Sequence, residues 1–146
     1  MHSAISETTT KMLAVVNCGN YHGKLIYLMI RFLDQTGASS AEAASLTIGD
    51  IRLDHQVKKA FGLGQGPRQR TQIIDSRLRK TLDALLLQQV CQGLRLQDDS
   101  PLFRTASDKA LTADQMACLL WLYQEAAALE SQETASITGK QSSGAK

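Results

Sequence analysis

A chain of 146 residues is long enough for one domain with a real core, and 43% hydrophobic with 21% charged residues is an ordinary globular composition. A net charge of +2 does not by itself demand a nucleic-acid partner, so only local clustering of charge can argue for one. The longest apolar run, residues 25–30, is far too short to span a membrane, and the polar N-terminus lacks the apolar core of a signal peptide, so a cytoplasmic protein without membrane contact is expected. Cys18, Cys91 and Cys118 lie far apart, form no CxxC pair and have no histidine at ligand spacing. They read as small buried hydrophobes in a reducing compartment, and neither metal nor cofactor is expected.

Residues 1–7 read as a loose end. "TTTKMLAVVN" predicts a short helix with a threonine cap that stops near Gly19. In "YHGKLIYLMIRFLDQTG", Leu25, Leu28, Met29, Phe32 and Leu33 recur at steps of three and four, so one helix face is apolar, and Gly37 supplies the stop. "SSAEAASL" predicts a short helix capped by Ser39 or Ser40. Beyond Asp50 the pattern changes to short, partly alternating pieces, and two or three antiparallel strands are expected, with a tight turn around residues 64–67. "DSRLRKTLDALLLQQVCQG" returns to helical spacing, with a stripe of Leu78, Leu82, Leu85, Leu86 and Val90, a cap at Asp75 or Ser76 and a stop at Gly93. A loop anchored by Leu102 and Phe103 leads to a third strong helix, capped by Thr112, whose inner face carries Met116, Leu119, Leu120, Tyr123 and Ala127. Residues 131–146 are polar, lack periodicity and read as a disordered tail. The expected fold class is α+β, mostly helical with a small antiparallel hairpin or three-stranded sheet, in one domain over residues 8–130.

The residues "TGASSAEAASLTIGDI", "GLGQGPRQRTQIIDSRLRKTL" and "SPLFRTASDKALTADQMACLL" occur in an order that resembles the catalytic domain of the tyrosine recombinases, or phage integrases, over roughly residues 8–129. That family reads TG-x-R-x-SE, then L-x-W-x-DI, then a GKG-x-K-x-R hairpin, then PLF. The resemblance implies a truncated integrase-like fold. Family members cut DNA with a tyrosine that forms a phosphotyrosyl link, while arginines, histidines and a hairpin lysine stabilise the phosphate in flight and the leaving oxygen. Fixed cations and a placed nucleophile are what such a charged transition state requires.

Thr36, Gly37, Glu42, Leu46, Asp50 and Ile51 match the frame of the first motif, but Ser39 stands where the family has its first arginine, and Leu63 stands where it has its hairpin lysine. Loss of one phosphate-clamping group costs on the order of 10²–10³ in rate. The remaining histidine, arginine and tyrosine of the family site should follow the helix that ends near Glu130, yet residues 131–146 contain no His, Arg or Tyr. No catalytic residue is therefore assigned, and no enzyme is expected unless a second chain supplies the missing groups.

Single residues add little chemistry. Tyr123 lies on an apolar helix face, Tyr21 and Tyr27 read as boundary and packing residues, His22 and His55 lack partners, and Trp121 suits either the edge of the core or a partner interface. "GLGQG" lacks the lysine-serine and helix start of a phosphate-binding loop. The basic residues carry more. Arg52, Lys58, Lys59, Arg68 and Arg70 cluster on the expected hairpin, Arg77 follows with Arg79 and Lys80 at the next helix start, and only Asp50, Asp54 and Asp75 oppose them. These cations could neutralise phosphates or simply solvate a hairpin. The expected protein is a catalytically inactive recombinase-like factor of a mobile genetic element. Its candidate DNA-binding residues are Arg52, Lys58, Lys59, Arg68, Arg70 and Arg77, and its partners are duplex DNA, a recombinase, another DNA-processing protein or itself, with no small-molecule substrate. A decayed remnant and a protein-interaction module without DNA binding are the competing expectations.

Overall fold

A computed structural model describes residues 7–51, 60–64 and 70–144, except for the side chains of Ala60 and residues 131–144. Its elements are five helices, α1 (Glu7–Ala14), α2 (Tyr21–Thr36), α3 (Ser40–Ala44), α4 (Ser76–Cys91) and α5 (Ala113–Gly144), a 3-10 turn at Ile48–Ile51, and strands β1 (Ala60–Leu63) and β2 (Arg70–Ile73). Among the described residues the sheet has two antiparallel strands, with Phe61 opposite Gln72 and Leu63 opposite Arg70. The α+β class, mostly helical with a small antiparallel sheet, is therefore the observed one.

Local chemistry fixes each helix end. Asn20 caps α2 by accepting from the Gly23 N–H at 2.8 Å. Gly23 itself is required by crowding, because a Cβ there would come within 1.6 Å of the Asn17 carbonyl. Gly37 closes α2 at φ 70°, a left-handed conformation costly for other residues, and returns its N–H to the Leu33 carbonyl. Asp75 caps α4 through the Leu78 N–H, so the cap is Asp75 rather than Ser76. Thr112 and Gln115 cap α5 reciprocally, at 2.9 and 3.1 Å.

The core is organised around α2. Leu25, Ile26, Met29 and Phe32 of this helix are completely buried. The Phe32 ring meets Phe103 edge-on at 5.3 Å and Phe61 in a stacked arrangement at 6.3 Å, which ties α2 to the loop before α5 and to β1. Residues 46–49 are stitched to residues 98–102 by backbone bonds, including Ile48 N–H to the Ser100 carbonyl at 2.8 Å and Leu102 N–H to the Leu46 carbonyl at 3.0 Å. The segment carrying the "TIGDI" frame is thus held in place by the segment carrying "SPLF".

Three sequence expectations differ from the structure. The buried stripe of α4 is Leu78, Leu82, Leu85 and Gln89, whereas Val90 is exposed. Steps of four, three and four continue to position 89, and helical geometry outweighs the apolar character of its neighbour. The three cysteines are exposed rather than buried. Cys18 lies in the turn before α2, Cys91 ends α4, and Cys118, two residues after buried Met116, falls on the opposite side of α5. The backbone of α5 runs helically past Glu130 to Gly144, through residues that read as a disordered tail. No proline interrupts them, and backbone hydrogen bonding needs no apolar stripe. Trp121, which suited either the core edge or a partner interface, is mostly exposed. Among the described residues no helix is long and apolar enough to cross a membrane.

Candidate nucleic-acid interface

The frame of the first motif is assembled at the entry to α3. Ser39 Oγ accepts from the Glu42 N–H at 3.1 Å, and Glu42 Oε1 accepts from the Ser39 N–H at 2.9 Å, which is a complete capping box. Arg70 reaches across from β2 and donates through Nη2 to Glu42 Oε1 at 2.9 Å and to the Gly37 carbonyl at 3.0 Å. Ser39, which the resemblance sets against the family's first arginine, is therefore a helix cap, closed by an arginine whose charge is met by a carboxylate. The Ser39 backbone N–H, reinforced by the Arg70 charge, holds the Glu42 carboxyl below its ordinary range.

A lowered carboxylate pKa contributes stability above the unfolded value, and this contribution is lost as pH falls through the folded value. Glu42→Gln is expected to cost up to ~1 kcal/mol at neutral pH, the usual scale of an exposed pair. Its deficit against the parent chain should shrink in acid as Glu42 of the parent protonates. Urea denaturation at a series of pH values checks this, and a deficit independent of pH would mean that the charge of Glu42 contributes nothing.

Leu63, which the resemblance sets against the family's hairpin lysine, is 1% exposed and belongs to the core, with Phe61 two residues earlier on the same inward face. A side chain at this position cannot meet a phosphate at the surface.

Of the candidate DNA-binding residues, Arg52, Lys58, Lys59 and Arg68 lie outside the described residues. Arg70 serves the α3 entry as above. Arg77 is exposed in the first turn of α4, together with exposed Lys80 and with Arg79, whose Nε lies 4.0 Å from Asp83. That turn contains no acid. The N-terminal end of a helix is already positive, and cations there oppose the dipole by about 0.3–1 kcal/mol each.

The tyrosines are accounted for by packing. Tyr21 donates its hydroxyl proton to the Arg104 carbonyl at 2.8 Å, and burial pushes that hydroxyl up to about 12, although the Arg104 charge pulls the other way. Tyr123 is half-buried against the core, and Tyr27 lies beneath the Arg31 guanidinium at 5.9 Å. His22 is exposed, and His55 lies outside the described residues.

Sequence reasoning missed Arg104, which is completely buried. It donates through Nε to Gln89 Oε1 at 2.9 Å, through Nη1 to Asp108 Oδ1 at 3.0 Å and through Nη2 to the Arg95 carbonyl. Gln89 in turn donates to the Leu102 carbonyl at 2.7 Å. Nothing in "PLFR" marks this arginine as interior.

No protein-family model, curated protein or solved structure was found to match the chain.

Proposed function

We propose that this chain is a catalytically inactive, tyrosine-recombinase-like protein that binds duplex DNA through its hairpin and the start of α4. The observation that carries the DNA part is the start of α4, where Arg77, Arg79 and Lys80 lie within the first five helical residues and the cap, Asp75, is the one acid beside them in that stretch. Beyond that one acidic cap, three cations at the positive end of a dipole do not serve the helix, whereas they suit a surface that meets phosphates. Arg52, Lys58, Lys59 and Arg68 add charge in the adjoining sequence, and Arg70 fastens the hairpin to α3. Inactivity is supported by the roles of the two substituted positions, since Ser39 is spent on a helix cap and Leu63 on the core. The integrase-like fold and the origin in a mobile genetic element rest on the residue frame alone.

The test is a salt titration of binding to random-sequence duplex DNA. The joint variant Arg68→Ala, Arg77→Ala should flatten the log-log slope by about two, at roughly 0.9 for each phosphate no longer neutralised. An unchanged slope rejects the surface, and a covalent adduct on a nicked substrate rejects inactivity.

A second reading, an oligomerising helical module without DNA binding, is favoured by one observation. Trp121 and Leu122, and Leu129 two turns further along α5, stand exposed, and exposed apolar groups that cluster mark interaction surfaces. The mass in solution, measured in the same experiment, separates the two readings: a monomer that binds DNA removes this one.

A further inference from the structure

We propose that the groove along α2, between α1 and α4, is a second DNA-contact strip in which Arg31 and Lys80 take backbone phosphates. Two open clefts meet at Tyr27 and Arg31. One is lined further by Thr10, Leu13 and Ala14 of α1, and the other by Leu28 of α2 and by Lys80, Thr81 and Ala84 of α4. Arg31 and Lys80 therefore face one cleft from two different helices. The guanidinium of Arg31 lies over the Tyr27 ring, an arrangement that positions the cation without neutralising it.

The charge balance of the groove is one-sided. Lys11, Arg70, Arg79 and Arg104 each have a carboxylate within 4.0 Å. Among the described residues Arg31 and Lys80, like Lys24, Arg95 and Lys109, have none, but Arg31 and Lys80 share a cleft, and no acid lines either cleft. The walls between them are apolar, and low-dielectric walls concentrate the field of the charges they flank. A net positive, unneutralised groove calls for an anion.

Its shape selects among anions. Small-molecule sites enclose most of their ligand, whereas these clefts are open along the helix surface, which suits an extended polyanion. Lys80 also belongs to the basic first turn of α4, so the strip continues the surface proposed above. The identity of the ligand rests on that DNA reading, while the anion-binding character rests on the groove itself.

The test uses the full chain labelled with ¹⁵N, titrated separately with a short random-sequence duplex and with tripolyphosphate at low salt. The amides of Tyr27, Arg31, Lys80 and Thr81 should shift with the duplex. Arg31→Gln with Lys80→Gln should reduce the salt slope of binding by about two, and Lys80→Gln alone, at an exposed side chain, by about one. Groove amides that stay still at saturating duplex, or slopes that do not change, overturn the proposal. Movement with tripolyphosphate but not with duplex overturns the DNA assignment. Movement of the groove with Arg70 and Arg77 unmoved supports the strip and rejects the hairpin surface instead, so the two readings fail separately.

Discussion

Arg104→Ala is expected to lower the stability of the chain by about 3–5 kcal/mol, the scale on which removal of one member of a buried polar network acts. The loss has three sources. Gln89 Oε1 and the Arg95 carbonyl lose their donor, and an unpaired buried acceptor costs about 1–3 kcal/mol. A large, completely buried side chain is removed, leaving a cavity. The turn before α5 also loses its tie to the end of α4. That turn holds Asp108 at φ 65°, unusual for a residue other than glycine, and its carboxylate is fixed by Arg104 Nη1. Arg104→Met, which restores much of the volume but none of the donors, should fall between the parent and the alanine variant. Asp108→Asn, at a side chain 57% exposed, should cost no more than about 1 kcal/mol. Denaturant unfolding of the three variants reads the order directly. A loss below about 1 kcal/mol for Arg104→Ala would mean that water replaces the guanidinium and that this network does not organise the fold.

The helices were legible because their signals are local. Gly37, Ser39, Asp75 and Thr112 are caps readable from residue type and from the apolar run that follows, and each acts within four residues of its own position. The apolar face of α2 was legible for the same reason, since its buried residues recur at helical spacing. The polar interior was not. Gln89 and Arg104 are fifteen positions apart and satisfy each other only after the loop returns to α4. Before that return, each is an ordinary exposed side chain by type. The cysteines misled for a related reason: as a residue type cysteine is commonly buried, but on a helix the angular position decides, and Cys118 is turned away from Met116.

The candidate site divides along the same line. That Ser39 lacks the charge of an arginine is visible in the sequence. That Arg70, twenty-eight positions from Glu42, closes the same cap requires the hairpin to lie against α3. The basic character of the α4 start is a matter of composition, but its force comes from the helix beginning at Ser76, with Asp75 as cap. A strand at those positions would carry the same charges without opposing any dipole.

Leu63→Lys puts at position 63 the lysine that the resemblance sets against it, and it is expected to be among the most destabilising single changes in the chain, by at least about 4 kcal/mol. Removing the buried leucine forfeits about 1.5–3 kcal/mol of apolar burial, and the ammonium must either be neutralised or break the packing around it. Neutralisation gives the change a signature. A buried lysine has a folded pKa below its unfolded value near 10.4, so the unfolded state binds more protons and the stability of the variant rises with pH. Its deficit against the parent should therefore narrow between pH 7 and pH 10. The measurement belongs below pH 10, because Tyr21, with its hydroxyl raised to about 12, withdraws stability from both proteins between 10 and 12. Gly62→Lys is the control. Gly62 is only half-buried and alternates with the inward pair Phe61 and Leu63, so a lysine there should cost less than about 1 kcal/mol. Equal tolerance of lysine at both positions would show that the strand can turn over, and Leu63 would then no longer count against a phosphate-facing cation on β1. A deep, pH-dependent cost at 63 alone would mean that this strand packs position 63 inward and leaves no room there for a phosphate-facing cation.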